Sequence, residues 1–222
     1  VSLGVSWDEL ASGWALVNSV DAKDAMAALR ASGGAAILGD EKAKDSWLAD
    51  LPAGDAVRLP CGIAPQVYLG PHHLQFAPQQ VTVGVGCARN CPPQELEDLV
   101  RAALSDAGVC DAAVHSVNTI SLKADEPAIL DLAASLDALL RLFSAVELEA
   151  ETPRLATHSD VVFAEVGCNG VSEAAALAQI GSDGTLWVQK RKTVNATVAL
   201  GLSPEPMTSL QGTPRGRLSV VG

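Results

Sequence analysis

The sequence predicts an α/β fold: a small irregular α/β region, then a mixed-sheet α/β domain with helices packed on the sheet. Three observations predict it. From residue 81 onward, short apolar runs alternate with amphipathic helical patterns. Residues 186–190 and 196–200 then alternate like two antiparallel strands. Before residue 78, short runs are broken by Pro and Gly without a regular period. The predicted boundaries are 1–77 for the first region, 80–203 for the second and 204–222 for a linker with the opening of a further strand.

In the first region, residues 14–17 are an apolar run, and 21–30 read as a short helix ended by Ser32, Gly33 and Gly34. Residues 35–38, 57–59 and 66–69 are strand candidates, and 47–52 are a short turn or helix. His72 and His73 fall in the exit from this region. The second region opens on the stretch around which the rest is arranged. Val81, Val83 and Val85 are β-branched and suit a buried strand. Gly84 and Gly86 strip side chains from its end, either for close helix packing or for approach by a ligand. Pro92 and Pro93 fit a first helical turn, and Leu96, Leu99, Val100, Ala103 and Leu104 form its apolar face. Residues 113–120 read as a strand, 128–139 as a helix started by Pro127, and 146–150 as a strand. Residues 152–166 read as a loop with a short helix, and 170–178 as a helix with Gly181 after its end.

The chain of 222 residues carries 26 acidic and 15 basic side chains, a net charge of −11. That surplus disfavours nucleic acid and anionic membrane as partners. No apolar run is long enough to span a bilayer as a helix. Five cysteines, an odd number at irregular spacing, fit a cytoplasmic location better than a disulfide framework. Cys87 and Cys91 lack a second ligand pair at finger-like spacing, so no metal site is assigned. GxG without a third glycine is no dinucleotide fingerprint, and GxxxxGK[ST] does not occur.

Four segments carry a resemblance. VGVGCARN at 83–90, ISLKADEP at 120–127, GVSEAAAL at 170–177 and QKRKTVNATVA at 189–199 resemble, in order, motifs of the CbiG/CobE cobalamin-biosynthesis family. The family's two arginines are here Ala88 and Arg89, and its turn glycine is Asn90. Residues 1–77 resemble the less regular middle region of CbiG. RLSVVG at 217–222 resembles the opening strand of a tetrapyrrole methyltransferase, as expected of a longer fused polypeptide. Complete CbiG proteins also carry an N-terminal domain that these residues do not match.

The resemblance implies work on a corrin precursor. The first expectation is cobalt-precorrin-5A hydrolase chemistry, which opens a lactone and releases acetaldehyde. The alternative is a non-catalytic, CobE-like corrinoid-binding module fused to a precorrin C17-methyltransferase. The expected partners are the precursor and fused or neighbouring pathway enzymes, with a homodimer also expected. No intrinsic cofactor is expected, and any cobalt travels within the corrin substrate.

The expected ligand-binding residues are Gly84, Gly86, Cys87, Arg89, Lys123, Glu126, Lys190, Lys192 and Thr197. A corrin precursor is rich in carboxylates, and Arg89 at a glycine turn beside a helix start forms an anion site. Lys190, Arg191 and Lys192 are the densest cation cluster, read either as a solvated strand edge or as a carboxylate clamp. Lys123 and Glu126, three apart, are a local ion pair in the bland reading. Glu173 is the candidate general base, provided burial tunes it. Cys87 at a helix start is a candidate for a lowered pKa, and as a nucleophile it would need a nearby His, a place that spacing assigns to neither His115 nor His158. All these groups are expected to face one cleft at the carboxyl edge of the sheet.

Overall fold

The structure, a computed structural model, describes residues 12–17, 23, 24, 27, 36–38, 66–69 and 72–208. The expectations for residues 47–52, 57–59 and 210–222, and most of the 21–30 helix, lie outside the described residues.

Strands β1 (Trp14–Leu16), β2 (Ala36–Leu38), β3 (Gln66–Leu69) and β4 (His72–Pro78) form an antiparallel sheet in the order β1-β4-β3-β2. His72 and His73 therefore lie in a strand, not in a connecting exit. Only Gln79 and Gln80 separate β4 from β5 (Val81–Cys87), and both are buried. Their backbones are pinned on two sides. Gln79 N–H donates to Gly13 O at 2.8 Å, and Gln80 O accepts from Ser203 N–H at 2.8 Å.

The second sheet has five strands in the order β7-β6-β5-β9-β8. Strands β5, β6 (Val114–Ile120) and β7 (Leu139–Phe143) run parallel, while β9 (Ala196–Leu202) lies antiparallel to β5 and to β8 (Thr185–Lys192). Strand β5 is thus interior, as its β-branched run predicts. Its two faces differ by the period of two. Val81, Val83 and Val85 enter the main core with Leu96, Val100 and Leu104 of α1 (Pro93–Asp106) and Ile129 and Leu132 of α2 (Pro127–Ser135). Each fully buried Val, Ile or Leu contributes about 1.5–3 kcal/mol. The opposite face carries Thr82, Gly84 and Gly86 and receives α5 (Val171–Ile180), whose Ala174 and Ala175 join Ile120, Leu148 and Cys168 in a second cluster. Small residues on both sides bring this helix down on the sheet: Thr82 Oγ1 donates to Ala176 O at 2.9 Å.

Between α2 and α5 the structure corrects the pattern. A helix to residue 139 and a strand at 146–150 are predicted. Instead α2 stops at Ser135, β7 follows, and residues 145–149 are a short helix, α3 (Ala145–Glu149). Asp137 takes φ 47°, a left-handed conformation that cannot propagate a helix. Ser144 and Glu147 form a reciprocal capping box, which fixes the start of α3. The 152–166 loop does contain its short helix, α4 (Asp160–Val166), capped by Ser159 and closed by Gly167 at φ 78°.

Candidate functional site

Chain order and parallel pairing bring two turns together at the carboxyl end of the sheet. One follows β5 and leads into α1; the other follows β6 and leads into α2. Asn90 closes the first turn in the left-handed conformation, φ 59°. Arg89, on that turn, reaches the second. Its Nη1 donates to Asp125 Oδ1 at 2.7 Å, and its Nη2 donates to Leu122 O at 3.0 Å. The Arg89 hydrogen bond holds Asp125 below the usual carboxylate range. Beneath them lies Glu126, 1% exposed. Its Oε2 is 3.6 Å from Arg89 Nη1 and 3.8 Å from Lys123 Nζ, and neither carboxylate oxygen has a hydrogen bond. The Lys123–Glu126 pair is therefore no solvated surface bridge, because its carboxylate is enclosed.

Cys87 and Cys91 complete this group. Burial, then Cys91 and Glu126, push the Cys87 thiol up to about 11. The lowered pKa for which the helix start makes Cys87 a candidate is overturned: desolvation and a neighbouring carboxylate outweigh the helix dipole. A thiol raised in this way is a poor nucleophile at neutral pH. Cys87 is expected to react with iodoacetamide at pH 8 at least roughly tenfold more slowly than in the unfolded chain, because the thiolate is the reactive form. Time-resolved tandem mass spectrometry of the peptide checks this. Equal rates would contradict the burial.

A second group lies on the α5 face. A Cβ placed on Gly84 would stand 1.9 Å from Ser172 O, so this glycine serves helix packing. Gly86 is more open: its Cβ position is 2.9 Å from Thr197 Oγ1 and 3.5 Å from Val171 Cβ. Thr197 Oγ1 donates to Gly86 O at 3.1 Å, and Lys192 stands opposite Thr197 in the β8–β9 ladder. The cationic run is divided. Arg191 turns to α1 and pairs with Asp106 at 2.5 Å, so residues 190–192 are not one clamp.

Glu173 is buried in this second group, and its oxygens are occupied. Oε2 accepts from Ala156 N–H and Thr157 N–H, each at 2.9 Å. Oε1 accepts from Lys190 N–H at 2.8 Å and from Thr157 Oγ1 at 3.4 Å. The β8 register shifts between Val188 and Arg191, which leaves the Lys190 N–H free for this bond. Glu173 fastens the 156–157 loop and the β8 irregularity to the first turn of α5. A carboxylate so engaged by backbone donors is an anchor, not a poised base. The structure thus joins Cys87, Arg89, Lys123 and Glu126 in one group. It joins Gly86, Thr197 and Lys192 at the same sheet end on the other face.

Two participants escape sequence reasoning. Asp125 orients Arg89, although its place beside Glu126 in the 120–127 segment is a signal. Glu95, in the first turn of α1, accepts from Thr193 Oγ1 at 2.5 Å, Asn195 N–H at 2.8 Å and Asn195 Nδ2 at 2.8 Å. The Asn195 side chain, Thr193 and the Asn195 N–H together pull its carboxyl down. It ties the β8–β9 turn to the helix beside the site. Among the described residues, no three His, Cys, Asp or Glu side chains gather as a metal-binding group. No single helix among them is long and apolar enough to cross a membrane.

Residues 81–201 match the family model described as cobalamin synthesis G C-terminus. This chain belongs to that family. Protein CobE of a Sinorhizobium species is 42% identical over 120 residues, covering 54% of this chain and 78% of that protein. The cobalt-precorrin-5A hydrolase of Priestia megaterium is 32% identical over 129 residues, 58% of this chain but 34% of the relative. The chain thus spans most of the CobE protein and about a third of the hydrolase. The crystal structure of CobE, a protein from the cobalamin (vitamin B12) biosynthetic pathway, superposes with a TM-score of 0.53 at 31% identity. It covers 59% of this chain and 93% of that chain. The mixed sheet with helices on it is therefore the architecture of the family, and cobalamin synthesis is its setting.

Proposed function

We propose that the carboxyl end of the five-stranded sheet binds a corrin precursor, and that this chain is part of a cobalt-precorrin-5A hydrolase that opens the lactone with release of acetaldehyde. The observation that carries the reading is the meeting of Arg89, Lys123 and buried Glu126 at the strand ends, in a chain of net charge −11 where cations are scarce. A carboxylate-rimmed ligand needs such cations to offset its desolvation. Apolar surface is at hand too. Leu122 in the turn after β6 is 56% exposed, and Val146 in the helix after β7 is 80% exposed. A flat macrocycle with an acidic rim suits a surface carrying both. Cobalt, where present, belongs to the substrate. Five cysteines, an odd number at irregular spacing, support a cytoplasmic setting among the other enzymes of the pathway.

A second reading is a CobE-like corrinoid-binding module without its own chemistry. The higher identity to CobE, 42% against 32% for the hydrolase, favours it. Acetaldehyde release on incubating the complete protein with cobalt-precorrin-5A separates the two. Binding itself is tested by Arg89→Ala. Affinity for the precursor is expected to fall about tenfold at low salt, and the loss is expected to shrink at high salt because Arg89 is half exposed. Unchanged affinity in an absorbance titration would remove Arg89 from the site.

A further inference from the structure

Among the described residues, Glu126 is the buried carboxylate whose two oxygens both lack a hydrogen bond. Enclosing such a group is costly unless cations and donors replace its water. For Glu126 the replacement is incomplete. The two cations stand off at 3.6 and 3.8 Å, and both approach Oε2. Oε1 has no such partner. Glu173, the other buried glutamate, has donors on both oxygens, as a purely structural carboxylate requires. One of the two cations beside Glu126 Oε2 is solvent-exposed. Arg89 is 54% exposed and belongs to a surface turn, whereas Lys123 is 17% exposed. A ligand carboxylate that draws Arg89 outward leaves Lys123 holding Oε2.

We infer that Glu126 is the general base of the lactone opening, an assignment that rests on the hydrolase reading above. Water adds to the lactone carbonyl carbon while Glu126 takes its proton. The ring ester C–O bond then breaks, and the proton passes from Glu126 to the departing alkoxide oxygen. One water is consumed, a carboxylic acid and a hydroxyl result, and nothing is oxidised or reduced. The neighbours do not compete for the role. Cys87 remains a protonated thiol, and Asp125 is 80% exposed and held by Arg89.

The test is Glu126→Gln in the complete protein, which keeps size and shape. Affinity for cobalt-precorrin-5A is read by absorbance titration and lactone opening by single-turnover mass spectrometry. The expected result is affinity within about threefold of wild type and a single-turnover rate at least about 100-fold lower. A wild-type rate in Glu126→Gln would overturn the assignment. So would an affinity loss above about tenfold with the rate at saturation unchanged, the signature of a binding residue. Should Glu126→Gln melt below the assay temperature, Glu126→Asp decides, because it keeps the charge but withdraws it by one methylene. A rate loss of about tenfold at unchanged affinity supports the role, and an unchanged rate overturns it. A wild type that binds the precursor without opening it overturns the hydrolase reading and this role together. A wild type and a Glu126→Gln variant that both open it overturn this role alone.

Discussion

Gly84→Ala is expected to be among the most damaging single substitutions in the chain, with a stability loss of about 3 kcal/mol or more. The new methyl would lie 1.9 Å from Ser172 O, 2.6 Å from Ala176 N and 3.0 Å from Ala176 Cβ. Two of these atoms are helix backbone, so no rotamer change relieves the overlap. Helix α5 would have to lift from the sheet by roughly 1 Å, which loosens the Thr82–Ala176 hydrogen bond and the Ala174 and Ala175 packing. For a chain of this size the melting temperature would fall by roughly 6–12 °C. Thermal unfolding followed by circular dichroism measures this. Gly86→Ala is the internal control. There the close neighbour is the Thr197 hydroxyl, a side-chain atom that can rotate away, so the expected loss is smaller. A Gly84→Ala variant that melts with wild type, or a Gly86→Ala variant that melts lower, would reverse this account of how α5 is seated.

The strand, glycine turn and helix from Val81 to Leu104 were legible because several local signals agree there. β-branched alternation, paired prolines and a helical apolar face all give the same answer. Residues 136–150 misled because their signals conflict. Leu139, Leu140 and Leu142 continue the apolar pattern of α2, so the pattern implies a longer helix. Its end depends on Asp137 adopting a positive φ, which composition hardly announces. The start of α3 was readable after all: Ser144 and Glu147 have capping-box spacing ahead of an apolar residue. In the site, the meeting of Arg89, Lys123 and Glu126 follows from each lying just beyond a parallel strand. What spacing cannot tell is which carboxylate the fold encloses without donors. Glu126 and Glu173 look alike in sequence, each near a helix start. Only the packing of the 156–157 loop and the β8 irregularity, both tertiary, distinguishes them. The same irregularity and the alternation of β8 split residues 190–192, which in sequence read as one cationic cluster.

Glu173→Gln is expected to cost about 2–4 kcal/mol of stability, because its two oxygens serve two different backbone segments. The amide keeps one acceptor oxygen. Turned toward Ala156 and Thr157, it presents its NH2 to the Lys190 N–H; turned toward Lys190, it presents NH2 to the other two donors. Either choice leaves buried donor against donor, and Glu173 is 1% exposed, so water does not repair it. Glu173→Ala removes all the acceptors and is expected to cost at least as much. Urea unfolding gives the stability change. Amide hydrogen exchange localises it, with Ala156, Thr157 and Lys190 expected to lose protection first. The pair of measurements also distinguishes anchor from base. An anchor loses stability and local protection and affects lactone opening only through the fold. A base loses single-turnover rate while the unfolding midpoint stays put. An unchanged midpoint with a slow single turnover in Glu173→Gln would return the catalytic role to Glu173 and take it from Glu126.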